Sequence, residues 1–389
     1  MDIQAVSHGF DDRIRWDPAL IRKYDVAGPR YTSYPTALQF VDSFGSREYE
    51  EYLLERPPVI GPLSLYVHIP YCRNICYYCA CNKIVTRDAS VAERYIVALE
   101  KEIALLSRHF DRRRRVTQLH WGGGTPTFLS PAELTRLMHG LAKHFSLIDS
   151  PEREYSIEID PRSVDTGTIA LLKGLGFNRL SMGIQDFDPD VQRAINRIQP
   201  FDMVEDLVQA VREHRFKSLS FDLIYGLPLQ GPASMEQTLA RVIALDPDRI
   251  SCYSYAHLPD VFSSQRSIDR MQLPGADEKL EILHTIIDTL TDAGYLYVGM
   301  DHFVKPEDEL AKAMHDGTLQ RNFQGYSTQL APELLGIGVS SISSTADLYC
   351  QNVKTVDEYF ALLEQGKLPV QRGLRLTAED QLRRDVIMQ

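Results

Sequence analysis

Four of the six cysteines in this chain lie between residues 72 and 81, in the stretch Tyr66-Val67-His68-Ile69-Pro70-Tyr71-Cys72-Arg73-Asn74-Ile75-Cys76-Tyr77-Tyr78-Cys79-Ala80-Cys81-Asn82. The spacing is Cys-x3-Cys-x2-Cys-x-Cys, directly after a short apolar run that reads as a strand. Cysteine thiolates on a compact loop are the usual ligands of iron–sulfur clusters. Cys72, Cys76 and Cys79 can bind three irons of a cubane, which leaves the fourth iron open to a ligand that is not protein. Zinc is the rival occupant, but zinc sites usually pair two short Cys/His groups across a longer spacer, and no second group follows here. A disulfide framework does not suit a chain of 389 residues in which no secretory signal is recognised. His68 reads as a hydrogen-bonded core or site residue, and the isolated Cys252 and Cys350 read as core packing.

Three further stretches carry chemistry-bearing residue types. Trp121-Gly122-Gly123-Gly124-Thr125-Pro126-Thr127 removes side chains where a backbone must approach a ligand closely or take φ > 0, although a plain tight turn has the same composition. It lacks both the dinucleotide spacing and the lysine of a phosphate loop. Ser156-Ile157-Glu158-Ile159-Asp160-Pro161-Arg162 ends a strand in two carboxylates two positions apart, hence on one face. One of them can pair with Arg162; an inward glutamate also suits a cationic sulfonium or ammonium group. Weaker signals stand at later strand ends: Ser181 to Phe187 with Gln185, Asp222 in Phe221 to Pro228, and Tyr255-Ala256-His257.

The elements that must position these residues alternate along the chain. Short apolar runs at Leu65–Ile69, Val116–Trp121, Tyr155–Ile159, Arg179–Gly183, Leu219–Ile224 and Ile250–Tyr255 read as mostly buried strands. Between them lie helical faces, among them Ile96, Leu99, Ile103, Leu106 and Phe110, then Leu134, Leu137, Leu141 and Phe145 behind the capping box Ser130-Pro131-Ala132-Glu133. Repeated β–α alternation implies right-handed parallel crossovers. The expected class is α/β, a partial (β/α)6 TIM-like barrel whose site lies at the C-terminal strand ends, where the motifs fall. The expected organisation is an N-terminal arm over 1–60, interrupted by prolines, the barrel over 61–305, a barrel-completing or substrate-covering segment over 306–375, and from 376 to 389 the start of a truncated C-terminal helical domain. A helix over Leu280 to Leu290 stopped by Gly294, then a strand over Tyr295–Met300, continues the pattern.

Net charge is −11, from 42 basic and 53 acidic residues, which argues against broad nucleic-acid binding. The run Arg112 to Arg115 reads as a solvated loop. No apolar run reaches the roughly 18–20 residues of a membrane span, so a cytoplasmic location is the default expectation.

The cysteine loop, its strand and the glycine turn resemble the radical S-adenosylmethionine superfamily, whose hallmark is Cys-x3-Cys-x2-Cys after the first barrel strand. More closely, Arg30-Tyr31-Thr32-Ser33-Tyr34-Pro35-Thr36, the block from Tyr66 to Lys83, Gly183-Ile184-Gln185-Asp186-Phe187 and Arg321-Asn322-Phe323-Gln324-Gly325-Tyr326 are similar to the family of oxygen-independent coproporphyrinogen III oxidases, from about residue 16 onward. The resemblance implies a [4Fe–4S] cluster on Cys72, Cys76 and Cys79 and two molecules of S-adenosylmethionine. Tyr66, Tyr78, Gly123, Gln185, Arg197, Asp222, Ala256 and Ile342 would serve the first, and Gly124, Thr125 and Glu158 the second or its surroundings. The family commonly has Phe where Tyr78 stands. Cys81, usually Phe in the related haem-chaperone branch, would not be a cluster ligand. Phe323, Gln324 and the arm with Arg30 and Tyr31 would meet the tetrapyrrole.

The implied reaction turns two propionates of coproporphyrinogen III into vinyls through a 5′-deoxyadenosyl radical, with an external electron donor and acceptor, in a monomer. Loss of a closing C-terminal segment would leave S-adenosylmethionine cleavage ahead of substrate oxidation. A haem chaperone of the same superfamily is the near alternative, and an electron carrier with Cys81 as fourth ligand is the alternative of another class.

Overall fold

The computed structural model describes residues 16–24, 33–322, 325–328 and 331–388. Residues 1–30 and 31–389 form separate units. In the first, the helix Pro18–Tyr24 starts on a proline, and Asp17 caps it by accepting from the Leu20 N–H at 3.0 Å. Arg30, Tyr31 and Thr32 lie outside the described residues.

The second unit is built on six parallel strands, β1 (Leu63–Ile69), β2 (Arg115–Gly123), β3 (Glu154–Ile159), β4 (Arg179–Gln185), β5 (Ser218–Tyr225) and β6 (Arg249–Ser254). Each pairs in parallel with the next in chain order. The crossovers carry α1 (Ser90–Leu106), α2 (Pro131–His144), α3 (Thr166–Gly174), α4 (Phe201–Glu213) and α5 (Pro232–Leu245), and α6 (Ala276–Asp292) follows β6. Helix α2 begins with the expected capping box: Ser130 Oγ accepts from the Glu133 N–H at 3.3 Å, and Glu133 accepts from the Ser130 N–H at 2.8 Å.

In β1, Leu63, Leu65, Val67 and Ile69 are almost inaccessible and alternate with Ser64, Tyr66 and His68. The next strands alternate as well. Tyr155, Ile157 and Ile159 of β3 are buried, whereas Glu154, Ser156 and Glu158 line a polar cavity of about 190 Å³ with Ser181, Ser220, Asp222 and Ser251 from the neighbouring strands. Parallel strands thus keep one wet face, because that face lines a site rather than a packed interior.

The sheet does not close on itself. Beyond β6 come the antiparallel pieces His302–Val304 and Leu296–Gly299; beyond β1 come Glu333–Ile337, parallel to it, and then the antiparallel Ile342–Ser344, Leu348–Asn352 and Val370–Arg375. Glu333 is inaccessible and ion-paired with both Arg56 and Arg114. Arg114 therefore departs from the solvated reading of the run at 112–115: its side chain is 9% exposed, drawn in as a counter-charge to the buried Glu333.

A second buried carboxylate, Glu102 on α1, accepts hydrogen bonds from the Gly338 N–H and Asn352 Nδ2, both at 2.7 Å, and from the Tyr359 hydroxyl. Burial pushes it up from 4.5 to about 7, against the pull of those donors. The unfolded chain ionises at the lower value, so this group's contribution is complete below about 4.5 and is lost as pH rises through about 7. Wild type should lose stability relative to Glu102→Gln across that window, read by thermal unfolding at stepped pH; parallel curves would contradict the assignment. Glu102→Ala, which leaves the buried Gly338 N–H and Tyr359 hydroxyl without this acceptor and opens a void, should cost about 2–4 kcal/mol.

Candidate active site

The register of β1 on β2 sets His68 beside Gly122 and Ile69 beside Gly123, so the cysteine loop and the glycine turn leave the sheet at one level. The Gly124 N–H donates to the Ile69 carbonyl at 2.8 Å and the Thr125 N–H to the Tyr71 carbonyl at 2.9 Å. A Cβ at Gly124 would lie 2.7 Å from the Pro70 carbonyl carbon; at Gly123, where φ is +110°, it would lie 2.6 Å from the His68 ring. Only glycine permits that approach. The loop is closed on its other side by Ile84–Val85, which runs parallel to Tyr71–Cys72.

Donors surround the three thiols. Thr125 Oγ1 lies 3.4 Å from Cys72 Sγ, and Arg162 and Arg197 reach Cys76 Sγ at 3.3 and 3.4 Å. Both guanidiniums also meet Asp160, Arg162 at 3.0 and 2.6 Å and Arg197 at 3.3 Å. Burial would raise Asp160, but the two arginines hold it below the usual carboxylate range. A hydrogen bond from the Cys81 thiol holds Cys79 down, against burial and with help from Lys83, and pushes Cys81 up; burial pushes Cys72 up to about 11. Among the described residues no three Cys, His, Asp or Glu side chains converge on the position of a single metal ion. A cubane takes its thiolates on separate irons and needs no such convergence. Thiols on one loop, with hydrogen-bond donors aimed at two of them, are a donor set that fits a cluster.

Tyr66, Cys81, Gly123, Glu158 and Ile342 come together around one cavity of about 350 Å³, with His68, Asn82 and His120. Because the Asn82 carbonyl can only accept, His68 carries its proton on Nε2, donates there at 3.0 Å, and accepts from the Tyr66 hydroxyl on Nδ1 at 3.0 Å. Burial lowers His68, which keeps it neutral. The ring of His120 stacks on Tyr66 at 5.8 Å, takes Ser156 Oγ on Nδ1 at 2.6 Å and donates from Nε2 to Glu158 at 3.0 Å. Burial works against the charge on Glu158, but His120 and the Gly123 N–H outweigh it and hold Glu158 below its ordinary value. On the neighbouring polar cavity, Asp222 accepts from Ser181 at 2.7 Å and burial pushes it up to about 6. Two inward carboxylates thus differ in their readiness to carry charge.

The remaining expected residues lie toward Cys76 and Cys79. Gln185, at φ +68°, and Arg197 meet over Gly183. Tyr78 packs against the buried cluster of Val191, Ile195, Leu227, Tyr255 and Ile268, and Gln265 donates to the carbonyls of Tyr78 and Ala256 at 3.0 and 3.2 Å. Phe323 and Gln324, like Arg30 and Tyr31, lie outside the described residues. Sequence reasoning missed His120 and Gln265 as supports; the pairing of Arg162 with Asp160 was readable from their spacing, its reach to Cys76 was not.

Residues 66–242 match the family model of the radical SAM superfamily. A protein of Pseudomonas aeruginosa named oxygen-independent coproporphyrinogen III oxidase is 51% identical over 378 residues, 97% of this chain and 82% of the relative. Its namesake in Escherichia coli is 49% identical over 375 residues, 96% of this chain and 81% of the relative. The solved structure of coproporphyrinogen III oxidase from Escherichia coli, described as a radical SAM enzyme, matches with a TM-score of 0.90 at 49% identity, covering 96% of this chain and 84% of that one.

Gly124→Ala should force the turn away from Pro70 at a cost of about 1–3 kcal/mol. After anaerobic reconstitution it should hold much less iron than wild type while its circular dichroism is retained. Full iron content in that variant would show that the close approach is dispensable.

Proposed function

This chain belongs to the family of oxygen-independent coproporphyrinogen III oxidases within the radical S-adenosylmethionine superfamily, and from that premise we infer that it converts two propionates of coproporphyrinogen III into vinyl groups, giving protoporphyrinogen IX in anaerobic haem synthesis. The observation that carries the reading is the cysteine loop, packed by backbone hydrogen bonds on the glycine turn and opening through Cys81 onto the cavity of Tyr66, His120 and Glu158.

In each half-reaction one hydrogen atom leaves the propionate β-carbon, the C–C bond to the carboxylate breaks to release CO2, and one electron passes to an external acceptor. The cluster and S-adenosylmethionine, when bound, supply the radical that takes that hydrogen. The chain's part is to bind, orient and exclude water, since an unguided radical attacks almost any C–H bond. Cys72, Cys76 and Cys79 hold the cluster, and Arg162 and Arg197 place N–H groups against Cys76 that favour its thiolate. Glu158, kept ionised by His120, offers negative charge to a sulfonium or an ammonium group. Tyr66, Tyr78, Gly123, Gln185, Arg197, Asp222, Ala256 and Ile342 serve one molecule of S-adenosylmethionine, and Gly124 and Thr125 stand toward a second. Phe323, Gln324, Arg30 and Tyr31 are the tetrapyrrole contacts of this reading, and Cys81 faces the substrate side.

The reading takes the chain as a monomer in the cytoplasm that draws electrons from an external donor. All six cysteines are free, as a reducing compartment requires. No helix among the described residues is long and apolar enough to cross a membrane.

Anaerobic incubation with reductant, S-adenosylmethionine and coproporphyrinogen III should yield deoxyadenosine and, by mass spectrometry, a tetrapyrrole lighter by two formic-acid equivalents. Tight haem binding without any of that product would sink the oxidase assignment and select a chaperone. Cys81→Ser should keep the cluster spectrum, whereas an electron carrier with four cysteine ligands would lose it.

A further inference from the structure

Gln185 ends β4 in a conformation that a residue with a long side chain rarely takes. Its φ is +68°, and the Asp186 N–H donates back across it to the Ile184 carbonyl at 2.9 Å, which closes a three-residue turn. The register of β4 on β5 slips at the same place, between Gly183 and Gln185. Such a turn persists only where its surroundings hold it. The next residue supplies the hold. Asp186 is inaccessible, and its carboxylate takes three neutral donors: the Asp188 N–H and the Thr238 hydroxyl at 2.6 Å each, and Gln230 Nε2 at 2.5 Å. Burial raises it above the usual carboxylate range, against the pull of those donors.

The donors come from three places in the chain. Asp188 caps the short helix Pro189–Ala194, and Thr238 stands on α5. Gln230 follows β5 and is itself locked there, donating to the Ile224 carbonyl at 2.8 Å and accepting from the Leu227 N–H at 2.7 Å. The main chain of Asp186 passes the constraint on. Its carbonyl accepts from Gln192 Nε2 at 2.9 Å. The Gln192 amide also donates to the Gln199 carbonyl at 3.1 Å and accepts from the Gln199 N–H at 3.0 Å, while Gln199 Nε2 donates to the Ile184 carbonyl. Between Gln192 and Gln199 the chain meets the cysteine loop. The Tyr77 N–H donates to the Ile195 carbonyl at 3.0 Å, Asn196 Nδ2 to the Ile75 carbonyl at 2.7 Å, and Arg197 reaches Cys76 Sγ at 3.4 Å.

We propose that Asp186 is a positioning residue for S-adenosylmethionine binding: its buried carboxylate holds the turn that aims Gln185, and through Gln192 it sets the segment that brings Arg197 to Cys76. The inference rests on the functional reading above, in which Gln185 and Arg197 serve one molecule of S-adenosylmethionine. Asp186 lines neither cavity of the site, so its effect is carried by those two side chains. The space they share leaves little tolerance, because a Cβ at Gly183 would lie 2.6 Å from Gln185 Nε2 and 2.9 Å from Arg197 Nη2. Asp186→Asn offers one acceptor oxygen where the carboxylate offers two, and its amide N–H groups then face a donor. At least one of the three donors loses its partner, and the turn loses part of its hold.

The test uses reconstituted holoprotein kept anaerobic. Affinity for S-adenosylmethionine is read by equilibrium dialysis, and the midpoint potential of the cluster by a redox titration followed by electron paramagnetic resonance. Asp186→Asn should weaken S-adenosylmethionine binding by about tenfold or more. It should also lower the potential measured without S-adenosylmethionine, because the Arg197 N–H no longer offsets negative charge at Cys76. Iron content and circular dichroism should match wild type, which separates positioning from folding. Thr238→Val, a substitution on α5 outside the cofactor contacts, should shift both readings in the same direction. Thr238→Ser, which keeps the hydroxyl, should restore wild-type values. Unchanged affinity or unchanged potential in Asp186→Asn would overturn the proposal, and so would equal readings for Thr238→Ser and Thr238→Val. Where Asp186→Asn does not fold, the Thr238 pair decides alone. Each of these failures leaves the functional reading standing as long as wild type binds S-adenosylmethionine. Wild type that binds none would remove that reading and this inference together.

Discussion

Two neighbouring parallel strands that end at the same height deliver their loops to the same place, and here everything else follows from that alignment. With His68 opposite Gly122 and Ile69 opposite Gly123, the cysteine loop and the glycine turn have nowhere to go except against each other. The three glycines remove the atoms that would keep them apart. The backbone hydrogen bonds then made, Gly124 to Ile69 and Thr125 to Tyr71, brace a loop that otherwise carries little regular structure of its own. The next strands add their polar ends in order: Asp160 with its arginines beneath Cys76, Glu158 beside His120, Asp222 beside Ser181.

The electrostatic design is asymmetric. On the cluster side, guanidinium and hydroxyl donors favour negative sulfur. On the cavity side, Glu158 is held charged by a histidine and a backbone N–H, while Asp222 is pushed toward neutrality by burial. Donors that favour negative charge thus stand at Cys72 and Cys76, and an ionised carboxylate stands at the cavity. The wet face of β3 to β6 is the structural cost of this arrangement, since it replaces the apolar interior that parallel strands otherwise share.

Much of this was legible in the sequence because it is local. The six strands and the helical faces of α1, α2 and α6 declared themselves through periodicity, whereas the short α3 did not, and the capping box of α2, the cysteine spacing and the paired carboxylates are all patterns of a few residues. What was not legible is long-range. Nothing near Glu333 announces that Arg56 and Arg114 will enclose it, 277 and 219 residues away, and the run at 112–115 looked uniformly solvated for that reason. Arg197 reaches Asp160 and Cys76 only after the chain has made another strand, and Gln265 supports the Tyr78 and Ala256 carbonyls from a segment with no motif. The extension of the sheet past β1 by residues 333–375 likewise depends on pairing that no local pattern encodes.

Glu102 joins the scaffold to the cavity. Its carboxylate takes the Gly338 N–H, and Asn352, bonded to the same carboxylate, also donates to the Gly338 carbonyl and to Ser341 Oγ. Next to it the Tyr95 hydroxyl accepts from the Val339 N–H and donates to the carbonyl of His68. Ser340, Ser341 and Ile342 form a wall of the cavity that His68 lines from the opposite strand. The distance between those walls is therefore set from behind by groups that touch nothing the cavity will hold. A pocket clamped in this way is a mould whose shape precedes its contents, and breathing of its rim is tied to the integrity of the core.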